Sequence, residues 1–362
     1  MNFFDNYLNF DLKKSMGICN VTDEFFCLLL SKIYSRENKN CLVVVNSLFE
    51  ANKLYNSLSN YTNNVFLFPM DDFLTSEALA ISPDLMINRL ETINSIISCE
   101  KCIIITNLMG YLRFLPEKKV YENSILSLKN GDIIEPAILT EKLVSLGYSR
   151  DTLVNKTGEF GVRGFVIDIF PIDEEYPLRI EFFDDEIESI RYFDPDTQKS
   201  ISEINNIEIS SNTEFLINGT MNDAEMNQKH LEKLDSDVTN IVGYMNNPIT
   251  VIKDFSQLKA SYKKLLEEIT DYKALKDTTY KGNYMFSLEE VLPRDVVYYN
   301  TIDSYFGDIA KSNIYDFSVQ KVPEFHENVD LINTYLEKEL LKKKTIVIYL
   351  KDYQVRAFTK YL

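Results

Sequence analysis

The chain is short of positive charge. Its 362 residues include 38 Lys and Arg against 55 Asp and Glu, for a formal net charge of -17. A surface of this sign repels a phosphate backbone, and nucleic-acid binders ordinarily present a basic patch or stripe. The charge balance therefore argues against autonomous DNA binding and favours a protein partner.

Long hydrophobic runs are also missing. No stretch approaches the roughly 18 consecutive apolar residues that a membrane span needs. The N-terminus, MNFFDNYLNF, has no basic region ahead of an apolar core, so it does not have the pattern of a secretory signal. We expect a cytoplasmic protein with no membrane partner.

Histidine and cysteine are too sparse to build a recognisable metal or catalytic site. The two histidines, His230 and His326, are far from any nucleophile motif and are interpreted as surface or cap residues. Cys99 and Cys102 have C-x-x-C spacing, but no second pair or nearby histidine completes a zinc site. We expect reduced thiols, no metal and no catalytic residue.

The first segment alternates helical and strand patterns. Cys41–Val45 (CLVVV), 64–68 (NVFLF) and 102–106 (CIIIT) are short apolar runs, and helical spacing separates them. Pro83 is placed as the first residue of one helix, with Ser82 as its cap. Strands that are apolar on both faces and separated by helices predict an α/β fold with a parallel sheet covered on both sides.

The pattern changes after Pro116. A strand at 124–128, a helix from Pro136 that stops at Gly147, and several later strands predict a small inserted α+β unit. We predict four parts: 1–117, the first part of the α/β domain; 118–212, the insertion; 213–317, a mostly helical return segment; and 318–362, a truncated further domain. Helices are predicted at 230–234, 255–274 and 329–340, and strands at 296–299 and 345–349.

Residues 156–200 carry the densest signal. Runs at 165–170 (FVIDIF), 178–183 (LRIEFF) and 187–193 (IESIRYF) predict an antiparallel meander. Alternation places Leu178, Ile180 and Phe182 on one face and Arg179, Glu181 and Phe183 on the other. An exposed ring beside an arginine is typical of a protein interface. The alternative is that Arg179 pairs with Glu181, Glu186 or Glu188, and that Phe183 is core at a strand end.

These residues resemble a known family. The order G-E-F-x-V-R-G-x-x-I-D-I-F-P followed by P-x-R-I-E-F-F-D-D-E-I-E-S-I-R-x-F-D-P is similar to the inserted domain shared by UvrB and the bacterial transcription-repair coupling factors (Mfd). The resemblance implies a degenerate helicase-like α/β domain carrying a UvrB domain 2-like insertion. It also implies UvrA as partner, contacted by Arg163, Arg179 and Phe183.

Helicase motors hold ATP with a glycine-rich loop that ends in lysine and a hydroxyl residue. The corresponding stretch, GICNVTDEFFCLLL, has Gly17 as its only glycine, acidic Asp23, and Phe25 near the position of the lysine. We therefore expect no nucleotide, cofactor or ATPase activity in this chain. The segment joining Phe68 to Asp84 is also too short for the DNA-gripping hairpin of UvrB, which points to the N-terminal region of the coupling factors.

For an intact coupling factor the resemblance implies an ATP- and Mg-dependent translocase on double-stranded DNA that displaces stalled RNA polymerase and recruits UvrA. Its own C-terminal domain would mask the UvrA site. Two alternatives remain open at this point: a UvrB-like excinuclease subunit, and an autoinhibitory clamp on the motor. We interpret the chain as a fragment that supplies the recruitment arm.

Overall fold

The structure is a computed structural model. It describes residues 15–71, 83–214, 238–276, 283–301, 306, 309–326, 328–348 and 355–356. The predicted cap Ser82 and the predicted helix at 230–234, with His230, lie outside the described residues.

The larger sheet has seven strands, in the order β17-β1-β16-β15-β2-β4-β3, and every pairing in it is parallel. Its strands are β1 (Met16–Cys19), β2 (Cys41–Val45), β3 (Val65–Phe68), β4 (Ile103–Asn107), β15 (Ile249–Lys253), β16 (Val297–Asn300) and β17 (Ile314–Asp316). The predicted parallel α/β architecture is confirmed. Strands β1, β15 and β17 were not predicted.

Helices cover this sheet on both sides. They are α1 (Asp23–Arg36), α2 (Leu48–Leu58), α3 (Pro83–Ser98), α4 (Leu108–Leu112), α5 (Lys118–Glu122), α7 (Ile241–Tyr244), α8 (Phe255–Lys276) and α9 (Leu288–Val291). Two separate apolar clusters result: one contains Leu42, Ile104 and Ile252, the other Val43, Ile105 and Val251. Alternate residues of each strand face opposite clusters, which explains why these strands are apolar throughout.

A second sheet of six strands has the order β12-β11-β10-β9-β8-β7 and is antiparallel except for the β7–β8 pair. Its strands are β7 (Ser149–Arg150), β8 (Glu159–Arg163), β9 (Val166–Ile169), β10 (Leu178–Phe183), β11 (Glu186–Phe193) and β12 (Ser200–Ile204). The predicted meander corresponds to β9, β10 and β11. Strands β8 and β12 were not predicted.

One face of the six-stranded sheet packs on helix α6 (Pro136–Ser145). Leu139 and Leu143 of that helix share a core with Ile167, Ile180 and other inward side chains. A short pair, β6 (Leu126–Lys129) with β13 (Asn206–Ile209), closes the same core. The opposite face of the sheet carries polar side chains, among them Arg179 and Glu181, together with the exposed ring of Phe183.

A buried ion cluster joins the end of this α+β unit to the parallel-sheet unit. Glu214 accepts from Arg89 Nε (2.7 Å) and Arg113 Nη2 (2.8 Å), and its side chain is 2% exposed. Burial raises the pKa of Glu214, but the two arginines outweigh this and leave the pKa below its ordinary value. Because Arg89 lies on α3 and Arg113 follows α4, the cluster fixes where residue 214 leaves the α+β unit.

Strands that precede and strands that follow the α+β segment in sequence belong to the same parallel sheet, in which β15 (Ile249–Lys253) pairs with β2 (Cys41–Val45). The predicted boundaries at 117, 212 and 317 remain predictions. One short sheet, β5 (Leu115–Pro116) with β14 (Val238–Thr239), also links the two sides.

The predicted strand at 345–349 is wrong for 345–348, which follow α10 (Val329–Leu341) in an irregular conformation. Val347 and Ile348 are 45% and 41% exposed. No described strand pairs with these residues, and a lone strand leaves its backbone groups unpaired. Of the helices that the structure describes, none combines the length and apolarity needed to cross a bilayer.

Candidate functional site

Strand β10 divides its side chains between the core and the solvent as predicted. Leu178, Ile180 and Phe182 are buried, whereas Arg179 and Glu181 are partly exposed and Phe183 is exposed. The outward face of this strand is the candidate site.

Arg179 is held by a carboxylate on the neighbouring strand. Its Nε and Nη2 donate to Asp168 at 2.7 and 2.9 Å, and Nη2 also donates to Gln198 at 3.0 Å. The guanidinium lies over the Phe193 ring, 4.5 Å from its centroid. The hydrogen bonds with Asp168 raise the pKa of Arg179, and its side chain is 16% exposed.

The sequence-based alternative for Arg179 named the wrong partners. Asp168 lies opposite Arg179 in the β9–β10 register, so the two side chains share a face. Glu181 instead forms a bidentate pair with Arg191 and accepts from Ser189. Asp168 was missed as a site residue, although it is the only charged residue in the apolar run FVIDIF, which is the available signal.

Arg163 lies at the end of β8, and its Nη2 is 3.4 Å from Asp168 Oδ2. Its side chain is 49% exposed, so one edge of the guanidinium faces solvent. Asp168, 2% exposed, thus brings the two predicted arginines together from strands that are not neighbours in the sheet.

Phe183 ends β10 with 74% of its surface exposed. The β10–β11 register shifts between Glu181 and Phe182, and the following turn places Asp184 at φ 58°. The alternative that Phe183 is core at a strand end is therefore wrong, since alternation places its ring on the outward face while Phe182 beside it lies in the core. The structure brings Arg163 and Arg179 into one cluster and places Phe183 further along the same face.

The stretch GICNVTDEFFCLLL, which was compared with a phosphate-binding loop, consists mainly of strand β1 and helix α1. Gly17 lies inside β1, paired with both β16 and β17, and the ring of Phe306 packs against it. A chain in extended, paired conformation cannot wrap its amide groups around a phosphate. Phe25, near the expected lysine position, packs on Phe317 with ring centroids 5.4 Å apart.

Asp23 is the first residue of α1, at a helix N-terminus of the kind that can bind a phosphate. It accepts from Lys53 (2.7 Å) and Tyr299 (2.6 Å), and Lys253 lies 3.2 Å away. Lys253 also pairs with Glu50 at 3.0 Å. Burial raises the pKa of Asp23, but these donors and cations outweigh it and lower the pKa overall. The residues present do not fit a nucleotide phosphate, because the cations are already neutralised.

Cys102 is buried immediately before β4, and burial raises the pKa of its thiol to about 12. Cys99 is half-buried at the end of α3. Within the part of the chain that the structure describes, no group of three or more His, Cys, Asp or Glu has the arrangement of a metal site. His326 is exposed in a turn.

The fold is that of a parallel α/β protein with an α+β unit, and residues 126–215 match the family model of the UvrB interaction domain. That match spans β6 to the residues after β13 and includes Arg163, Arg179 and Phe183.

Curated relatives identify the longer protein that the chain resembles. The chain is 26% identical to the transcription-repair-coupling factor of Staphylococcus epidermidis over 88% of this chain and 32% of the relative. It is 34% identical to the coupling factor of Bacillus subtilis over 57% of this chain and 17% of the relative, and 34% identical to that of Staphylococcus aureus over 52% and 16%. The resemblance to the N-terminal, UvrB-like region of these factors is confirmed. The chain spans about a third of the length of the first of these relatives.

Proposed function

We propose that this chain docks UvrA and so recruits nucleotide excision repair to stalled RNA polymerase. The observation that carries the proposal is the Phe183 ring, 74% exposed on the outward face of the UvrB interaction domain. An exposed ring on a rigid strand loses little conformational entropy when a partner buries it, which makes it a good hot spot.

The arginines act in two ways under this proposal. Arg163, half exposed, is free to reach an acceptor on UvrA with the edge that does not face Asp168. The Arg179 side chain is mostly buried and donates two hydrogen bonds to Asp168. Its main role in this proposal is to stabilise the outward face of the sheet, and only a small area of its side chain is exposed to UvrA. The carboxylate between them keeps both guanidinium groups oriented.

The intact protein is proposed to be an ATP- and Mg-dependent translocase on double-stranded DNA that displaces RNA polymerase, in the cytoplasm, with its own C-terminal domain masking the UvrA site at rest. In this proposal ATP is bound elsewhere in the intact protein, and the closure of the α1 N-terminus by Asp23 and its lysine partners supports that assignment. The same closure counts against a UvrB-like excinuclease subunit. Since UvrA would bind a matching surface on UvrB, the two proteins are expected to compete for it.

The test is titration of UvrA into the chain by calorimetry. Phe183→Ala is expected to weaken binding by about 2 kcal/mol or more, roughly 30-fold. Phe49→Ala is the matched control, because Phe49 is 77% exposed on α2 of the parallel-sheet unit. Equal affinities of these two variants would overturn the proposal, as would failure of UvrB to compete.

Arg163→Ala is expected to weaken UvrA binding without lowering the melting temperature. Arg179→Ala is expected to weaken binding and stability together, because it leaves buried Asp168 without its main partner. Melting each variant alongside the titration separates the two effects.

A further inference from the structure

The turn that presents Phe183 is joined to a second segment, the loop 130–135 between β6 and α6. Ile134 N donates to Asp185 O at 2.8 Å, and Ile187 N donates to Asp132 O at 2.9 Å. Gly131 N donates to Ile187 O at 2.8 Å. These backbone bonds hold the loop beside the start of β11, where it forms an isolated antiparallel bridge.

The register places an isoleucine in line with Phe183. Ile133 forms an antiparallel bridge with Glu186, and Glu186 is the residue opposite Phe183 in the β10–β11 pair. Residues opposite one another in antiparallel pairs point to the same face. Ile133, Glu186 and Phe183 therefore form one row across three chain segments.

Ile133 is more exposed than Phe183: 82% against 74%. The two side chains are separated by two strand spacings, roughly 10 Å. Two large apolar side chains held on hydrogen-bonded backbone at a fixed spacing present a surface that one partner can bury at once. Single exposed apolar residues are common, and here two of them are held at a fixed spacing on one face of the same strand end.

The charge around this pair is acidic. Glu186 lies between the two apolar side chains, and Asp184, Glu188 and Glu135 are exposed close by in sequence. Lys129 is the nearby cation along the loop, and it is paired with Asp132 at 3.8 Å. A complementary surface would be apolar with basic residues at its edge, because like charges would oppose the contact.

We propose that Ile133 is a second apolar anchor for UvrA, and that Glu186 meets a cation of UvrA between the two anchors. This rests on the proposed function and assigns to it residues outside the predicted set of Arg163, Arg179 and Phe183. UvrA would bring an apolar surface with two depressions roughly 10 Å apart and a basic group between them.

The test uses the whole chain with purified UvrA. Ile133→Ser is expected to weaken binding at least 10-fold, and Ile201→Ser, at a residue 50% exposed on edge strand β12, is the matched control. Both variants are expected to melt like the parent, since both residues are exposed. Binding of Ile133→Ser equal to that of Ile201→Ser would overturn the second anchor.

Glu186→Lys tests the charge. It is expected to weaken binding at least 10-fold at low salt, with a smaller loss at high salt because ions screen the repulsion. Glu141→Lys, an exposed position on α6, controls for net charge. An equal effect of the two reversals would overturn the role of Glu186.

The outcomes separate this inference from the proposed function. If Phe183→Ala loses binding while Ile133→Ser and Glu186→Lys do not, the inference fails and UvrA docking stands. If the unaltered chain does not bind UvrA, both fail. If all three variants bind UvrA more weakly while Ile201→Ser and Glu141→Lys bind it like the parent, the result supports both UvrA docking and the second anchor.

Discussion

The N-terminus of α1 and the outward end of β10 use charge in opposite ways. At α1, Asp23 is enclosed by Lys53, Lys253 and Tyr299, so each charge is satisfied within the protein. At β10, Asp168 satisfies Arg179 but leaves Arg163 half exposed, and the neighbouring apolar ring of Phe183 faces solvent. The charges at the first place are paired within the protein, whereas the second place exposes an aromatic ring and part of an arginine side chain.

The difference shows how a helicase-like sheet can serve as a scaffold. The parallel sheet keeps its apolar layers, while the carboxylate of Asp23 at the N-terminus of α1 pairs with two lysines of the same chain. The antiparallel sheet adds a surface on which the Phe183 ring is exposed and two arginines are held by Asp168. The predictions below test whether the two places differ in this way.

The largest effect is expected for Lys253→Ala. Lys253 is 7% exposed and lies between Asp23 and Glu50, so its removal leaves two carboxylates facing each other with less compensation. Loss of one partner of a buried ion pair costs about 3–5 kcal/mol. Urea denaturation measures it. Lys53→Ala, which removes a half-exposed partner of Asp23, is expected to cost about 1 kcal/mol or less; equal losses would show that the cluster is not closed.

Asp168→Ala is expected to destabilise the α+β unit by about 2 kcal/mol, because Arg179 loses two charge-assisted hydrogen bonds. Glu181→Ala removes a more exposed pair, with Arg191, and is expected to cost about 1 kcal/mol or less. Thermal melts of both variants make the comparison. A smaller loss for Asp168 than for Glu181 would contradict the central role given to Asp168.

Stability is expected to fall on acidification, partly through Asp23. Its pKa is lowered in the folded protein from 3.8, so the stabilisation is present above about pH 4 and is lost as the pH falls through the folded pKa. Asp23→Asn is expected to show a shallower loss between pH 5 and pH 2 in urea titrations. If the free energy of unfolding of Asp23→Asn falls between pH 5 and pH 2 as steeply as that of the parent, the Asp23 carboxylate is not stabilised by these cations.

The smallest effect on stability is expected for Phe183→Ala, within about 0.5 kcal/mol, because the ring is exposed. Phe182→Ala, one residue earlier and 6% exposed, is expected to cost about 3–5 kcal/mol. Urea denaturation of this pair tests the alternation of β10 directly. A large loss for Phe183→Ala would mean that the ring serves the fold.

Local pattern was enough for much of the architecture. CLVVV and CIIIT are apolar on both faces, and they are β2 and the core of β4 in the parallel sheet. The strands that were missed are short or carry atypical residues: β1 contains Gly17, and β15 ends in Lys253. Lys253 is tolerated there only because Asp23 and Glu50, distant in sequence, lie beside it.

For the candidate site, alternation along LRIEFF correctly assigned Arg179 and Phe183 to one face. Alternation along one strand could not predict the ion-pair partner of Arg179, because the register of β9 on β10 places Asp168 opposite it. No local pattern in the sequence indicates a role for Ile133, since its loop is joined to the Phe183 turn only through backbone hydrogen bonds to β11.

The sequence alone determined many of the helices and strands, their apolar faces and the resemblance to the coupling factors, because propensity, periodicity and motifs are properties of residues close together in the chain. Only the tertiary structure decided which charged groups form ion pairs within the protein and which side chains remain exposed. Those outcomes depend on strand register and on pairs far apart in the chain, which no local pattern encodes.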